Sequence, residues 1–403
     1  MGTKNTNLKG IDNKELKVNS SEVNFEPIVS VIKKSVIGFE AKCLEYKVGE
    51  IQDEKLIESD RNYREKSIES FKSLYNKNKE LLIFLDIDIS IIDKYIGSGI
   101  LLNVVNQFGI EPRNIVLEIV ESKIDDIEAM QKFINYYRSR GFLIGLKDLG
   151  SGFSNLDRIS YVEPDIIKIN SSITKEISFD YYKQEIFKSL VNLSKKIGSL
   201  IVVENIENNS EAMVVMELGA DMLQGSVFSE PLPVQSIEIQ KIEKKIYKTA
   251  TEFKDYMYEG IKAKETSHKD YDAIITRILD KLSSSKEEGF TDIIEKAIID
   301  YSILECIYIL DKNGTQISDT VTKYKNIGSH KALIFQPAKK GSDHSLKKYY
   351  YFLSNMNLNK YITEPYVSLA TGNLCITISA TFENKEGKDF ILCIDFNPDY
   401  INM

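Results

Sequence analysis

The first 230 residues alternate between short unbroken apolar runs and longer stretches with helical spacing. The runs are VIGFE, LLIFLD, IVLE, LIGLKD, DIIKI, LIVVE and ADMLQ. Their apolar positions are continuous rather than alternating, the pattern of strands covered on both faces. Between them, Tyr63–Lys77 sets Ile68, Phe71, Leu74 and Tyr75 on one helical face. Ile127–Arg140 reads the same way, as does Lys183–Lys196 with Ile186, Leu190 and Leu193. This order predicts an α/β fold. About eight strands in about 210 residues suit a (β/α)8 barrel of parallel strands.

Each run ends at or near a polar side chain: Glu40, Asp86, Glu118, Asp148, Lys168, Glu204 and Gln224. The carboxyl ends of barrel strands converge on one mouth. Residues far apart in the chain are therefore expected to form one acidic cluster of the kind that binds metal. Lys147 stands inside that set, beside Asp148.

Beyond Pro233 the pattern changes. Pro233–Ser285 is charged and helical, with Ile239, Ile242, Ile246, Phe253 and Met257 at three-four spacing. A second helix is expected over Ala273–Leu282, and SSSKEEG reads as a linker. DIIEKAIIDY is helical, and CIYILDKNGTQIS predicts a hairpin around Asn313-Gly314. LCITISATFENKEGKDFILCIDF predicts two longer strands around NKEGK. A helix followed by a small antiparallel sheet is the α+β layout of PAS and Cache sensor domains. The expected division is a disordered arm at 1–22, a barrel at 23–235, a helical linker at 236–289 and a PAS/Cache-like domain at 290–403.

Composition narrows the classes. No apolar run reaches the roughly 18 to 20 residues that span a bilayer, and no signal-peptide pattern opens the chain. A soluble, cytoplasmic protein without membrane contact is expected. A net charge of −8 speaks against a broad nucleic-acid face, though it leaves room for a local anion pocket. Cys43, Cys306, Cys375 and Cys393 have no CxxC spacing and read as reduced core residues. The histidines form no zinc-type pair.

Seven ordered segments carry a resemblance: FEPIV…VIGFEAKCL, LLIFLDIDIS, IVLEIVES, IGLKDLGSGFSNL, PDIIKIN, IVVENIE and LQGSVFSEPLP. Together they resemble the EAL family of cyclic di-GMP phosphodiesterases. The whole layout is similar to the member type in which a PAS-like domain follows the barrel. The resemblance implies a Mg²⁺- or Mn²⁺-dependent hydrolase acting on cyclic di-GMP, often a homodimer. Glu40 falls on the metal-binding glutamate of the family signature. Glu118 falls on a further metal ligand. Asp86 falls where the family places a metal-binding asparagine. Lys147 and Asp148 fall on the aspartate pair that holds two metals. Lys168 falls on the lysine near the attacking water, and Glu204 on the second-metal or general-base glutamate. Glu121 falls on a glutamate that holds a loop and is tied to dimerisation. Glu207 and Gln224 fall on remaining pocket positions.

The chain departs from that pattern. In EAKCL, Lys42 replaces a leucine, and Leu44 replaces the arginine that grips a ligand phosphate. Asp86 replaces asparagine, and Lys147 replaces the aspartate shared by both metals. Residues two apart in a strand share a face, so Lys42 points where Glu40 and Leu44 point. It offers a point charge in place of arginine's forked donors. Two readings of Lys147 stay open. Its ammonium takes a metal position and pairs with Asp86, Glu118 or Asp148, or it snorkels out of the mouth.

Three functions stay open with it. One is a catalytically weak or inactive regulator, acting through cyclic di-GMP or an unidentified protein partner and holding no metal. The second is a working phosphodiesterase that opens cyclic di-GMP to linear pGpG. The third is a nucleotide-independent scaffold. In the C-terminal region, His344, Lys347, Tyr349 and Tyr366 read either as a sensory pocket for an unknown small ligand or as a tyrosine-rich core.

Overall fold

The computed structural model describes residues 23–42, 53–88, 99–120, 127–151, 156–323, 334–356 and 358–397. The arm at 1–22 and the residues Cys43, Leu44 and Glu121 lie outside them. The chain divides into two compact units, Met1–Met257 and Tyr258–Met403.

In the first unit the strands are β1 (Asn24–Ser30), β2 (Ser35–Lys42), β3 (Leu82–Asp88), β4 (Ile115–Val120), β5 (Leu143–Leu149), β6 (Ile166–Ile169), β7 (Leu200–Val203), β8 (Met222–Gln224) and β9 (Leu232–Pro233). The intervening helices include α1 (Asp53–Lys77), α2 (Ile100–Phe108), α3 (Ile127–Arg138), α4 (Asp157–Val162), α5 (Ser171–Thr174), α6 (Tyr181–Ile197) and α7 (Asn209–Glu217). Strands β2 to β8 pair in sequence, and β1 pairs with both β8 and β2 to close the barrel. The first strand departs from the expected all-parallel order. β1 runs antiparallel to both neighbours. The four-residue turn Val31–Lys34 joins it to β2, and a connection that short can only reverse the chain.

The barrel has two apolar layers. Ile83, Leu85, Leu117, Ile119, Ile167, Ile201 and Val203 pack in one core with helix residues such as Ile68, Phe71, Phe133 and Phe187. Ile28, Phe84, Val116, Ile166, Val202 and Met222 form a second cluster and fill the lumen. Side chains alternate across a strand, so the next inward residue along each strand is fixed. These residues are Asp86, Glu118, Lys168, Glu204 and Gln224, with Lys147 following Gly145 on β5. On the reversed β1 the corresponding residue is Glu26. An apolar floor thus underlies a polar mouth. Gly145 pairs across the ladder with Glu118. A Cβ there would come within 3.3 Å of the Glu118 side chain, so the small residue leaves Glu118 its room.

The helix α8 (Ile239–Ser283) starts in the first unit and ends in the second; it is one 45-residue helix, not the two that were expected. The polar stretch before Ala273 contains no proline to end it. Next come α9 (Phe290–Asp300), β10 (Leu304–Asp311), β11 (Val321–Thr322), α10 (Lys348–Met356), β12 (Lys360–Ile362), β13 (Tyr366–Val367), β14 (Leu374–Glu383) and β15 (Asp389–Phe396). The sheet order is β11-β10-β15-β14-β12, with β13 on β14. NKEGK turns β14 into β15. After Asn313-Gly314 the chain makes isolated bridges, Leu310 to Gln316 and Thr315 to Asp343, before pairing at β11. One sheet face packs on Tyr271, Ile275, Phe290 and Ile294. The other carries Cys306, Tyr308, Ile391 and Cys393 under Tyr349 and Leu353 of α10. Among the described residues no helix is long and apolar enough to cross a membrane.

Truncating the barrel floor by Phe84→Ala should cost about 3–5 kcal/mol in chemical denaturation. The change Leu200→Ala, at a position 50% exposed, should stay within about 0.5 kcal/mol.

Candidate functional site

Glu40 is the hub of the barrel mouth and has no exposure to solvent. Its Oε1 accepts from the Lys147 ammonium at 2.5 Å. Its Oε2 accepts from Lys168 at 2.7 Å and from the Gln224 amide at 2.5 Å, with Lys42 at 2.8 Å. Lys147 also donates to both oxygens of Asp86, at 2.9 and 3.0 Å. Lys168 reaches Glu118 and Glu204, both at 3.0 Å. The Lys168–Glu118 contact is close but off hydrogen-bonding geometry, since neither Glu118 oxygen has a hydrogen-bond partner among the described residues.

The electrostatics follow from burial and from neighbours of opposite sign. Burial works to raise the Glu40 carboxyl, but Lys168, Lys147 and Lys42 outweigh it and hold it well below the usual carboxylate range. Burial works to lower Lys147, but Glu40, Asp86, Glu118 and Glu204 keep its pKa well above the ordinary lysine value. Lys168 is raised by the same balance, with Glu118 its strongest support. Burial dominates at Glu118, which is pushed up to about 8 against the pull of Lys168.

Glu40, Asp86 and Glu118 each offer an oxygen, and these lie within 4.8 Å of one another. Three carboxylates so placed would suit a hard divalent cation. The Lys147 ammonium, however, already bridges two of them. A metal bound to those oxygens would need the same space, at about 2.0–2.6 Å from each. The residues as arranged do not fit a two-metal centre.

The residues singled out in the sequence fall in three places. Glu40, Asp86, Glu118, Lys147, Lys168, Glu204, Gln224 and Lys42 converge. Asp148 does not join the carboxylate triad. It is a non-glycine residue at φ +62°, where the β5–β6 ladder shifts register, and its carboxylate accepts from the Asn170 amide at 2.8 Å. Aspartate is among the residues that tolerate this conformation. Glu207 is exposed near the start of α7. Glu26 was missed. It is buried, pairs across β1–β2 with Glu40, accepts from Gln224 at 2.7 Å and lies 3.6 Å from Lys42. Its signal was a lone acid inside the run FEPIV.

The C-terminal residues also gather. Tyr308 donates to the Tyr349 hydroxyl at 2.9 Å, which lies 2.7 Å from Nδ1 of His344. Nε2 of His344 lies 3.0 Å from Oε1 of the Gln316 side chain. Tyr366 lies 2.6 Å from Thr377. Burial, then Lys347, hold the imidazole below its ordinary value. Lys347 itself is exposed.

The EAL domain family matches residues 12–231. An uncharacterized EAL-domain containing protein of Bacillus subtilis, YkuI, is 26% identical over 403 residues, 94% of each sequence. The probable cyclic di-GMP phosphodiesterase PdeA of Escherichia coli is 28% identical over 138 residues, 34% of this chain and 19% of that protein. The fold is similar to the crystal structure of B. subtilis YkuI in complex with substrate c-di-GMP and calcium. That likeness has a TM-score of 0.76 and 22% identity and covers 93% of this chain and 95% of that one.

Lys147→Ala strips a buried partner from Glu40 and Asp86, and should lower stability by about 3 kcal/mol. An unchanged melting temperature would contradict the pairing. The His344 imidazole titrates below its ordinary 6.5 in the folded chain. As the pH falls through that value, the unfolded chain takes up a proton that the folded chain resists. The melting temperature should therefore drop between pH 7 and 5.5, and His344→Gln should remove part of that drop.

Proposed function

This chain belongs to the EAL domain family, and from that premise we propose that it is a cyclic di-GMP signalling protein whose barrel has lost efficient hydrolysis. It acts as a regulator, through nucleotide binding and a protein partner, in the cytoplasm and as a homodimer. The observation that carries the reading is the Lys147 ammonium between Glu40 and Asp86. Two-metal hydrolysis needs two cations about 3.5–4 Å apart with a water activated between them. At an effective dielectric of about 20, unit charges about 4 Å apart interact by roughly 4 kcal/mol, and a divalent ion doubles that. An ammonium in a ligand's place therefore opposes metal binding by several decades of affinity.

Nucleotide binding has its own support. The related YkuI has been crystallised in complex with c-di-GMP and calcium. In this chain Lys42 stands at the mouth with its side chain 32% exposed, placed to offer a phosphate a point charge. Leu44 supplies none of the arginine's forked donors, so affinity should be modest. The buried Glu118 carboxylate, whose Oε2 lacks a hydrogen-bond donor among the described residues, favours a second reading. In that reading the protein is a slow phosphodiesterase using one cation, with Lys168 and Glu204 at the attacking water.

Calorimetric titration with cyclic di-GMP, with and without Mg²⁺, together with a turnover assay, separates these readings. The regulator predicts binding without turnover, and brisk formation of the linear dinucleotide would overturn it. The double variant Asp86→Asn/Lys147→Asp restores the family's charge pattern. It should bind Mn²⁺ at least about tenfold more tightly than the parent protein, a gain of about 1.4 kcal/mol.

A further inference from the structure

The second unit contains a cavity of about 580 Å³ that the barrel reading leaves unused. Tyr308, Tyr349, Tyr361 and Tyr366 line it, and so does Asp395 of β15. Asp395 follows Ile391 and Cys393 on the inward face of its strand, flanked across the ladder by Cys306 and Thr377. It is only 2% exposed. Its carboxylate accepts from Thr377 at 2.6 Å, Ser368 at 2.8 Å and the Cys306 thiol at 3.2 Å. Among the described residues no lysine, arginine or histidine pairs with it. A buried carboxylate is normally paired or neutralised. Here burial does hold the Asp395 carboxyl above the usual range, against the pull of those three donors and of the Cys375 thiol.

The proton directions around the cavity can be assigned from the hydrogen bonds. Thr377 spends its only hydroxyl proton on Asp395, so it accepts from Tyr366. Tyr349 accepts from Tyr308, so its own proton goes to Nδ1 of His344. Nε2–H of the neutral imidazole then donates to Gln316. Each of these donors is committed within the wall. An anion entering the cavity would meet Asp395 and find none of these protons free. A cation would meet a carboxyl group with no cationic partner among the described residues, set among tyrosine rings, the kind of side chain that attracts positive charge. The exposed residues at the rim carry both signs, Lys347 and Lys348 against Asp343 and Glu364, so they set no opposite preference.

We propose that this cavity binds a small organic cation, a primary or quaternary ammonium compound, whose charged nitrogen pairs with Asp395 among the rings of Tyr308, Tyr349 and Tyr366. The volume suits such a ligand, since small-molecule sites run from roughly 300 to 1,000 Å³ and are mostly apolar with a few placed polar groups.

The test uses the full chain at fixed ionic strength. Choline, putrescine and ethanolamine are compared with succinate, glutarate and glycerol by thermal shift and calorimetry. At least one of the three amines should raise the melting temperature and bind, with no response to the anions or glycerol. Asp395→Asn should weaken that binding by at least about tenfold, and Lys347→Glu should not weaken it. Should Asp395→Asn fail to fold, Tyr366→Ala at the partly exposed cavity edge carries the same test and should also weaken binding. Silence from all three amines, preferential binding of the dicarboxylates, or unchanged amine binding in these cavity variants overturns the proposal. None of these outcomes bears on cyclic di-GMP.

Discussion

Glu40 shares one buried carboxylate among the ammoniums of Lys147, Lys168 and Lys42 and the amide of Gln224. The rest of the barrel mouth is arranged around that sharing. Lys147 carries the contact out to Asp86, Lys168 carries it to Glu118 and Glu204, and Gln224 carries it to Glu26. The members come from eight different strands or strand ends, so the network exists only when the barrel is closed. The lumen floor beneath it is apolar. The Lys168 ammonium lies 5.8 Å from the Phe84 ring, where floor and mouth meet.

Such a network is poised between two kinds of cation. A buried carboxylate needs a positive partner, and in this mouth ammonium groups supply it. A divalent ion would bring more charge but also requires the oxygens that Lys147 already holds. One side chain thus converts a site whose carboxylates suit metal into an internal salt. The aspartate at position 86 fits the same logic, since it adds a negative charge where the lysine supplies a positive one. In the second unit the polarity is reversed. Asp395 is a buried carboxyl group held by hydroxyls and thiols, with no cationic side chain paired to it among the described residues, and it lines a cavity.

Much of this was legible in the residues. Polar ends on apolar runs located Glu40, Asp86, Glu118, Lys168, Glu204 and Gln224, because strand ends of a barrel share one mouth. Lys147 stood out as the wrong charge among them. Asp148 stands outside the carboxylate triad for a local reason. The backbone turns to a positive φ between Lys147 and Leu149, and a run of letters does not display a register shift. Glu26 escaped because β1 was expected to be parallel, which would have put its inward residues at the opposite end. Asp395 escaped because a single acid in LCIDF looks like any strand-end polar residue until the sheet places Cys306 and Thr377 on either side. The break expected before Ala273 is absent from α8, because polar residues without proline continue a helix.

The most direct test is the position of cations in the barrel mouth. Crystals grown with cyclic di-GMP and Mn²⁺ can be measured by anomalous scattering at the manganese edge. Density for the Lys147 ammonium between Glu40 and Asp86, with no manganese peak in that gap, is the expected result. Two manganese peaks about 3.5–4 Å apart, with the Lys147 side chain turned out to solvent, would contradict it.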